Sequence, residues 1–225
     1  MARDTESGSR AALSAMLEFN DLISRFDIKA ELIKELDRQA NVLTALQRNP
    51  GVDPERLNAT LDELRTIITK LRSSDYQPGQ ALRNDELTSA IRQRISIPGG
   101  TCNFDLPGYH YWLSKPANDR STKMDSWFED LKLVNDGTKL ALGIIRESAA
   151  PTGELAKGGF FQQSLETNTT CHMVRVILSS NCTYFPEISA GKHRFTIRFL
   201  EQPDTERRPV QVEHDVEFEL ERCII

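Results

Sequence analysis

Long apolar runs are absent from this 225-residue chain, and their absence excludes a membrane-embedded protein. The longest stretch of consecutive apolar residues is only a few residues, whereas a membrane-spanning helix needs about 20. The first ten residues, MARDTESGSR, are polar and include two acids, unlike a secretory signal peptide. The sequence therefore predicts a cytoplasmic protein without membrane insertion.

Motifs that bind nucleotides or activate a nucleophile are also missing. The glycine pairs Gly99-Gly100 and Gly158-Gly159 belong to neither the GxxxxGK[ST] nor the GxGxxG pattern. The chain has no GxSxG elbow. Because Cys171 and His172 are adjacent within a predicted strand, their side chains point apart. We therefore expect no enzymatic activity and no cofactor.

Cysteine is scarce, and none of the four cysteines forms a CxxC pair. This usage favours reduced, mostly buried thiols in a cytoplasmic protein. The alternative is a zinc site that combines Cys171, His172 and Cys182 with a distant fourth ligand. Structural zinc sites usually contain closely spaced ligand pairs, which this sequence lacks.

Positive charge is in the minority, with 28 Lys and Arg against 33 Asp and Glu. The net charge of −5 argues against nucleic-acid binding through overall charge, although a local basic patch remains compatible with it. With 39% hydrophobic and 27% charged residues, the composition is that of a soluble globular protein. The length suits one large domain or two small ones.

Helical periodicity dominates the first 94 residues. Apolar residues recur at spacings of three and four, and the sequence around Pro50 and Gly51 interrupts the pattern. Asp53 followed by Pro54 predicts a helix start with an aspartate cap. A short helix is predicted over 84–94, and helical spacing returns later in the chain. These helices with short connections predict an antiparallel, bundle-like arrangement.

From Pro151 onward the pattern changes to strands and turns. Five strands are predicted, at 158–165, 171–178, 183–188, 193–200 and 212–220. Helices followed by antiparallel strands indicate an α+β fold. We assign a helical domain to 1–94 and 116–150 and a β domain to 95–115 and 151–225.

The segment from Arg92 to Leu113 joins these two regimes. Its Pro-Gly-Gly sequence predicts a tight turn in which Gly99 or Gly100 adopts a positive φ. Residues 95–104 are otherwise predicted as extended, and Asp105 as the cap of a short helix.

His110 lies among aromatic residues in that short helix, and two interpretations are open. It could contact a ligand or act as a base, or it could be a packed residue with satisfied hydrogen bonds.

The clearest candidate binding surface is the basic strand KHRFTIRF, residues 192–199. Alternation along a strand directs Phe195, Ile197 and Phe199 to a core, and Arg194, Thr196 and Arg198 to the opposite face. Two strand residues four apart are separated by about 13 Å, which suits an extended acidic peptide better than one carboxylate. Guanidinium groups also favour bidentate carboxylate or phosphate contacts.

A solvated face is the alternative interpretation of this strand. The arginines would then pair with acids such as Glu217 or Glu219 on a neighbouring strand. No acid occurs between Glu187 and Glu201, so neutralisation within the strand itself is excluded.

Several blocks of the sequence resemble the ZapD family, cytoplasmic proteins that associate with the bacterial division GTPase FtsZ. The blocks are KELDRQ (34–39), PGVD (50–53), the segment 92–113 with RQRxSIPGG and FDLPxxHxWL, and ISAGKHRFTIRF (188–199). They occur in the family's order and span about residues 13–222. The resemblance implies a helical domain joined to a β domain, a homodimer at the mid-cell division site, and no enzymatic activity.

The resemblance also implies a basic pocket that takes the C-terminal tail of FtsZ, so that a dimer with two sites links and bundles filaments. Carried over by position, the pocket residues are Arg25, Arg94, His110, Lys192, Arg194 and Arg198. Family members usually begin with a further helical segment containing a FEHPLNE-like string, which this sequence lacks. Basic residues that this segment contributes to the pocket in family members therefore have no counterpart among the six residues named here.

A nucleic-acid-binding module that uses the same arginines is the second hypothesis. Its weakness is that the aromatic residues of strand 193–200 fall on the face opposite the arginines, so the strand offers no exposed stacking set. An enzyme acting on a small molecule ranks third.

Overall fold

The structure, a computed structural model, describes residues 5–166 and 170–225. The chain divides into two compact units between Ala141 and Leu142. The described residues form helices first and antiparallel strands afterwards, which confirms the predicted α+β fold. Across these described ranges, no helix is both long and apolar enough to cross a membrane.

Seven α-helices occupy the described part of the chain up to residue 147. They are α1 (Glu6–Arg25), α2 (Ile28–Leu46), α3 (Pro54–Arg72), α4 (Gln80–Asn84), α5 (Glu86–Arg94), α6 (Pro107–Leu113) and α7 (Ala117–Glu147).

Aspartate side chains begin three of these helices. Asp27 accepts a hydrogen bond from the Ala30 N–H at the start of α2, and Asp85 caps α5 in the same way. Asp53 accepts from two backbone N–H groups of α3, with Pro54 as the first helical residue, as predicted. A carboxylate at this position satisfies N–H groups that have no partner within the helix.

The apolar stripe of α3 forms the centre of the helical core. Five residues of this stripe are buried: Leu57, Leu61, Leu64, Ile68 and Leu71. The long helix α7 adds Trp127, whose ring centroid lies 5.9 Å from that of Trp112 on α6. Phe26, the residue that ends α1, is 59% exposed.

The short helix predicted from about residue 84 to Arg94 is confirmed as α5, which begins at Glu86 after the Asp85 cap. Two other local predictions in the segment 95–113 are wrong. Residues 95–104 form successive turns rather than an extended segment, with the Gly100 N–H bonded to the Ile97 carbonyl at 2.9 Å. Leu106, not Asp105, occupies the N-cap of α6.

The Pro-Gly turn prediction is confirmed. Gly99 has a φ of +73°, in the left-handed region that favours glycine.

The second unit contains two antiparallel sheets in its described residues. Its strands are β1 (Thr152–Ala156), β2 (Phe160–Ser164), β3 (Cys171–Ile177), β4 (Tyr184–Ala190), β5 (Arg194–Glu201), β6 (Val210–Gln211) and β7 (Val216–Ile224). One sheet has the order β1-β7-β3, and the other has the order β2-β5-β4, with β6 also paired to β5. The five predicted strands correspond to β2, β3, β4, β5 and β7, whereas β1 and β6 were not predicted.

The two sheets share one apolar core. Phe195, Ile197 and Phe199 of β5 pack with Phe218 and Leu220 of β7. The rings of Phe199 and Phe218 lie 5.1 Å apart, centroid to centroid. This core fixes which face of β5 is turned inward.

Candidate partner-binding face

The alternation predicted for β5 is confirmed. Phe195, Ile197 and Phe199 are fully buried. Arg194 and Arg198 are exposed on the opposite face. The inward aromatic residues hold the strand in register, so the two guanidinium groups project from a packed sheet rather than from a loop.

Neighbouring strands add aromatic residues to this arginine-bearing face. Phe160 of β2 lies opposite Arg198, and Phe185 of β4 lies opposite Leu200 on β5. Directly paired residues of antiparallel strands place their side chains on the same face of a sheet. Phe160 is 41% exposed and Phe185 is 42% exposed. We call this surface the basic sheet face and define it by Arg194, Thr196, Arg198, Phe160 and Phe185.

The acid that contacts this face is Glu187. Its carboxylate lies 2.6 Å from the Arg198 guanidinium, and the two residues are directly paired between β4 and β5. The predicted solvated-face partners Glu217 and Glu219 lie on β7, in the other sheet.

Arg194 and Lys192 have no carboxylate partner among the residues that the structure describes. Both are exposed at the end of the β4–β5 hairpin. The positive charge of this hairpin is therefore concentrated at its turn, beside the last residues of β4.

Arg25 lies in the helical unit, at the last residue of α1. It lines a surface cavity of about 600 Å³ together with Lys29, Tyr76 and Arg83. Lys29 donates to the Tyr76 carbonyl at 2.7 Å, and Arg83 donates to the Pro78 carbonyl at 2.9 Å. Burial raises the pKa of Tyr76 to about 12, so this phenol stays neutral. The exposed Arg25 is therefore the cation of this cavity best placed for a partner.

Arg94 and His110 lie on two further elements of the helical unit. Arg94 occupies the last turn of α5, with its guanidinium 3.8 Å from the Asp105 carboxylate. His110 is exposed on α6, whereas its neighbours Tyr109 and Trp112 are buried. The interpretation of His110 as a packed core residue is therefore wrong.

The predicted site residues fall into two groups. Lys192, Arg194 and Arg198 lie together on one hairpin of the β unit. Arg25, Arg94 and His110 lie on three separate elements of the helical unit. Sequence reasoning missed Phe160 and Phe185. Alternation within β2 or β4 does not specify the register with β5, and that register decides which side chains lie on the same sheet face as the arginines.

All four cysteines are free thiols, and burial is the main cause that raises the pKa of Cys223. No three His, Cys, Asp or Glu side chains within 5–166 and 170–225 are grouped so that they could hold a metal ion.

A basic and aromatic face on a packed sheet is a surface suited to contacts with a macromolecular partner. Arginine and large aromatic side chains are the residues that most often dominate such contacts.

Comparison with known proteins identifies the family of the chain. The family model described as ZapD, cell division protein, matches residues 1–198. A cell division protein ZapD of Methylococcus capsulatus is 39% identical over 216 residues, which cover 96% of this chain and 84% of that protein. The ZapD proteins of Chromobacterium violaceum and Nitrosomonas eutropha are 37% and 38% identical, each over 99% of this chain and 88% of their own length. The chain belongs to the ZapD family of cell division proteins.

Proposed function

We propose that this protein binds the C-terminal tail of FtsZ and, as a homodimer, crosslinks FtsZ filaments at the mid-cell division site. Membership of a cell division family supports the setting in which it acts. The tail and the bundling activity come from the family resemblance of the sequence. The protein acts in the cytoplasm as a binding and scaffolding protein, without catalysing a reaction.

The observation that carries this proposal is the composition of the basic sheet face. Arg194 and Arg198 supply charges that orient an acidic segment, and Phe160 and Phe185 supply exposed apolar area. A peptide that carries both acidic and apolar residues matches both features at once. In the helical unit, Arg25, Arg94 and His110 supply further groups for the partner.

Two apolar residues of the helical unit support a dimer interface on α1. Leu22 is 49% exposed in the last turn of α1, and Phe26, the residue that ends this helix, is 59% exposed. Exposed apolar residues this close in the chain can pair with the same surface of a second copy across a two-fold axis.

Nucleic-acid binding is the second candidate, and one observation favours it. Phe160 and Phe185 share the face of the arginines, so the structure supplies aromatic residues that the strand alone did not offer. Two features weigh against it: the net charge of −5 and the contact of Glu187 with Arg198.

Titration of the protein with a synthetic FtsZ tail peptide tests the proposed function. Replacement of Arg194 by glutamate (R194E) should abolish detectable binding and leave the fold intact, because the side chain is exposed. Loss of one desolvated charge contact weakens binding by about 2–5 kcal/mol, and charge reversal adds repulsion. R198E should act in the same direction.

Arg208 provides the matched control. It is exposed in the same unit, outside the basic sheet face, so R208E makes the same charge change and should leave the affinity nearly unaltered. Equal binding by R194E and the parent protein would remove the basic sheet face from the site. Binding of a single-stranded oligonucleotide in place of the peptide would favour the second candidate.

A further inference from the structure

β4 is an edge strand of its sheet. It pairs with β5 along its whole length, and within the described residues no strand pairs with its other side. An edge strand presents backbone N–H and C=O groups that lack a partner in the sheet. These groups belong to alternate residues of the strand.

The hydrogen bonds of Phe199 on β5 identify the residues of β4 that carry these outward groups. Its N–H donates to the Gly159 carbonyl at 2.8 Å, and its carbonyl accepts from the Val212 N–H at 3.0 Å. Both groups therefore point away from β4, so Pro186, which is paired with Phe199, is not hydrogen-bonded to it. Alternate residues of a strand repeat this orientation, so Ile188 and Ala190 turn their N–H and C=O groups outward as well.

Proline at position 186 is consistent with this orientation. Proline has no N–H, and in a sheet it is tolerated where that group would face solvent. Proline also blunts an edge against unwanted pairing. Here it protects the first half of β4, whereas Ile188 and Ala190 keep both an outward N–H and an outward C=O group.

The surroundings of this open edge favour an acidic, partly apolar chain. Ile188 is 40% exposed beside the outward backbone groups. Lys192 and Arg194 follow within the adjoining hairpin and have no carboxylate partner in the described part of the chain. Glu187, the one acid of β4, is held by Arg198 at 2.6 Å.

We propose that the outer edge of β4 receives an extended acidic peptide as an additional strand. The backbone of the peptide pairs with Ile188 and Ala190, and an acidic side chain reaches Arg194 or Lys192. Backbone pairing supplies affinity in such an arrangement, and side-chain contacts supply specificity. This proposal rests on the proposed function, because the FtsZ tail is the peptide in question.

A pair of substitutions at Ile188 separates backbone pairing from side-chain contact. I188P removes the outward N–H, and I188A keeps it, while both variants lose most of the exposed side chain. The proline is compatible with the sheet, since Pro186 already occupies an equivalent position. We expect I188P to lower the affinity for the tail peptide about tenfold relative to I188A.

A second measurement leaves the protein unchanged. Tail peptides that are N-methylated at successive positions should lose affinity at every second position, because alternate N–H groups of an added strand face β4. Hydrogen exchange at the Ile188 and Ala190 amides should also slow when the peptide is bound.

The outcomes distinguish this inference from the proposed function. Equal affinity of I188P and I188A, together with no alternation among the methylated peptides, would overturn strand addition. R194E would still weaken binding in that case, and the proposed function would stand. Absence of peptide binding by the parent protein would defeat the proposed function itself. Concentration-dependent protection of these amides without peptide would assign the edge to a second copy of the chain and overturn the proposal.

Discussion

Arg198 and Arg194 occupy the same strand face but differ in electrostatic environment. Glu187 lies 2.6 Å from Arg198, whereas Arg194 has no carboxylate partner among the described residues. An incoming acidic side chain must therefore compete with Glu187 at Arg198. The contact with Glu187 weakens the attraction of Arg198 for a partner.

Removal of the Glu187 charge should consequently strengthen tail binding. Both side chains of this ion pair are about half exposed, and such pairs contribute about 0.2–1 kcal/mol. We expect E187Q to raise the affinity for the tail peptide about two- to fivefold in a calorimetric titration. E219Q is the control, since it makes the same change in net charge on the other sheet. An increase of equal size in both variants would indicate a general charge effect instead.

For single residues, the sequence predicts the direction of a side chain but not its ion-pair or hydrogen-bond partners. The outward direction of Arg194 and Arg198 follows from alternation, which is local. The contact of Arg198 with Glu187 depends on the register between β4 and β5, which alternation within one strand does not specify. Arg120 is a similar case. It is buried in α7 and donates to the Ser9 hydroxyl, 111 residues away in the sequence.

Among the secondary-structure elements, α5 is joined to α7 through the side chain at its start. One oxygen of Asp85 accepts from the Leu87 and Thr88 N–H groups, and the other accepts from the Trp127 indole at 3.1 Å. Lys123 lies 2.9 Å from the same carboxylate. Burial acts to raise the pKa of Asp85, but these contacts outweigh it and the pKa is lowered. One side chain therefore caps α5 and joins it to α7.

Replacement of Asp85 by alanine should lower the free energy of unfolding by about 1–3 kcal/mol at neutral pH, as measured by urea denaturation. A carboxyl whose folded pKa is lowered stabilises the protein above its unfolded pKa, near 4, and loses this effect as the pH falls through the folded value. The difference between the parent and D85A should therefore shrink below about pH 4. D53A removes the cap of α3 alone and should have the smaller effect at neutral pH. Equal losses in D85A and D53A would show that the contacts with α7 add nothing.

The long elements were predictable because their periodicity extends over many residues. α3 and β5 both follow the apolar pattern of the sequence. The turns at 95–104 were not, because they depend on local backbone hydrogen bonds rather than on a periodic pattern. β1 and β6 were missed because they are too short to show a periodic pattern. β6 has only two residues and is defined by its pairing with β5.

For the whole molecule, the central question is how many tail-binding sites one particle carries. One tail site allows a protein to decorate a filament, whereas two sites on a dimer allow it to bridge neighbouring filaments. The family assignment establishes a role in cell division. Crosslinking requires both a tail site and a second copy. The candidate residues for these two requirements are the basic sheet face and the exposed pair Leu22 and Phe26.

Low-speed pelleting of FtsZ filaments tests the account most directly. The parent protein should pellet filaments of full-length FtsZ but not filaments that lack the C-terminal tail. A variant with Leu22 replaced by aspartate (L22D), shown to be monomeric by sedimentation, should bind the tail peptide but pellet no filaments. A15D places the same charge at another exposed position of α1 and should pellet filaments like the parent. Equal pelleting of tail-less filaments, or bundling by the monomer at the level of the parent, would contradict the account.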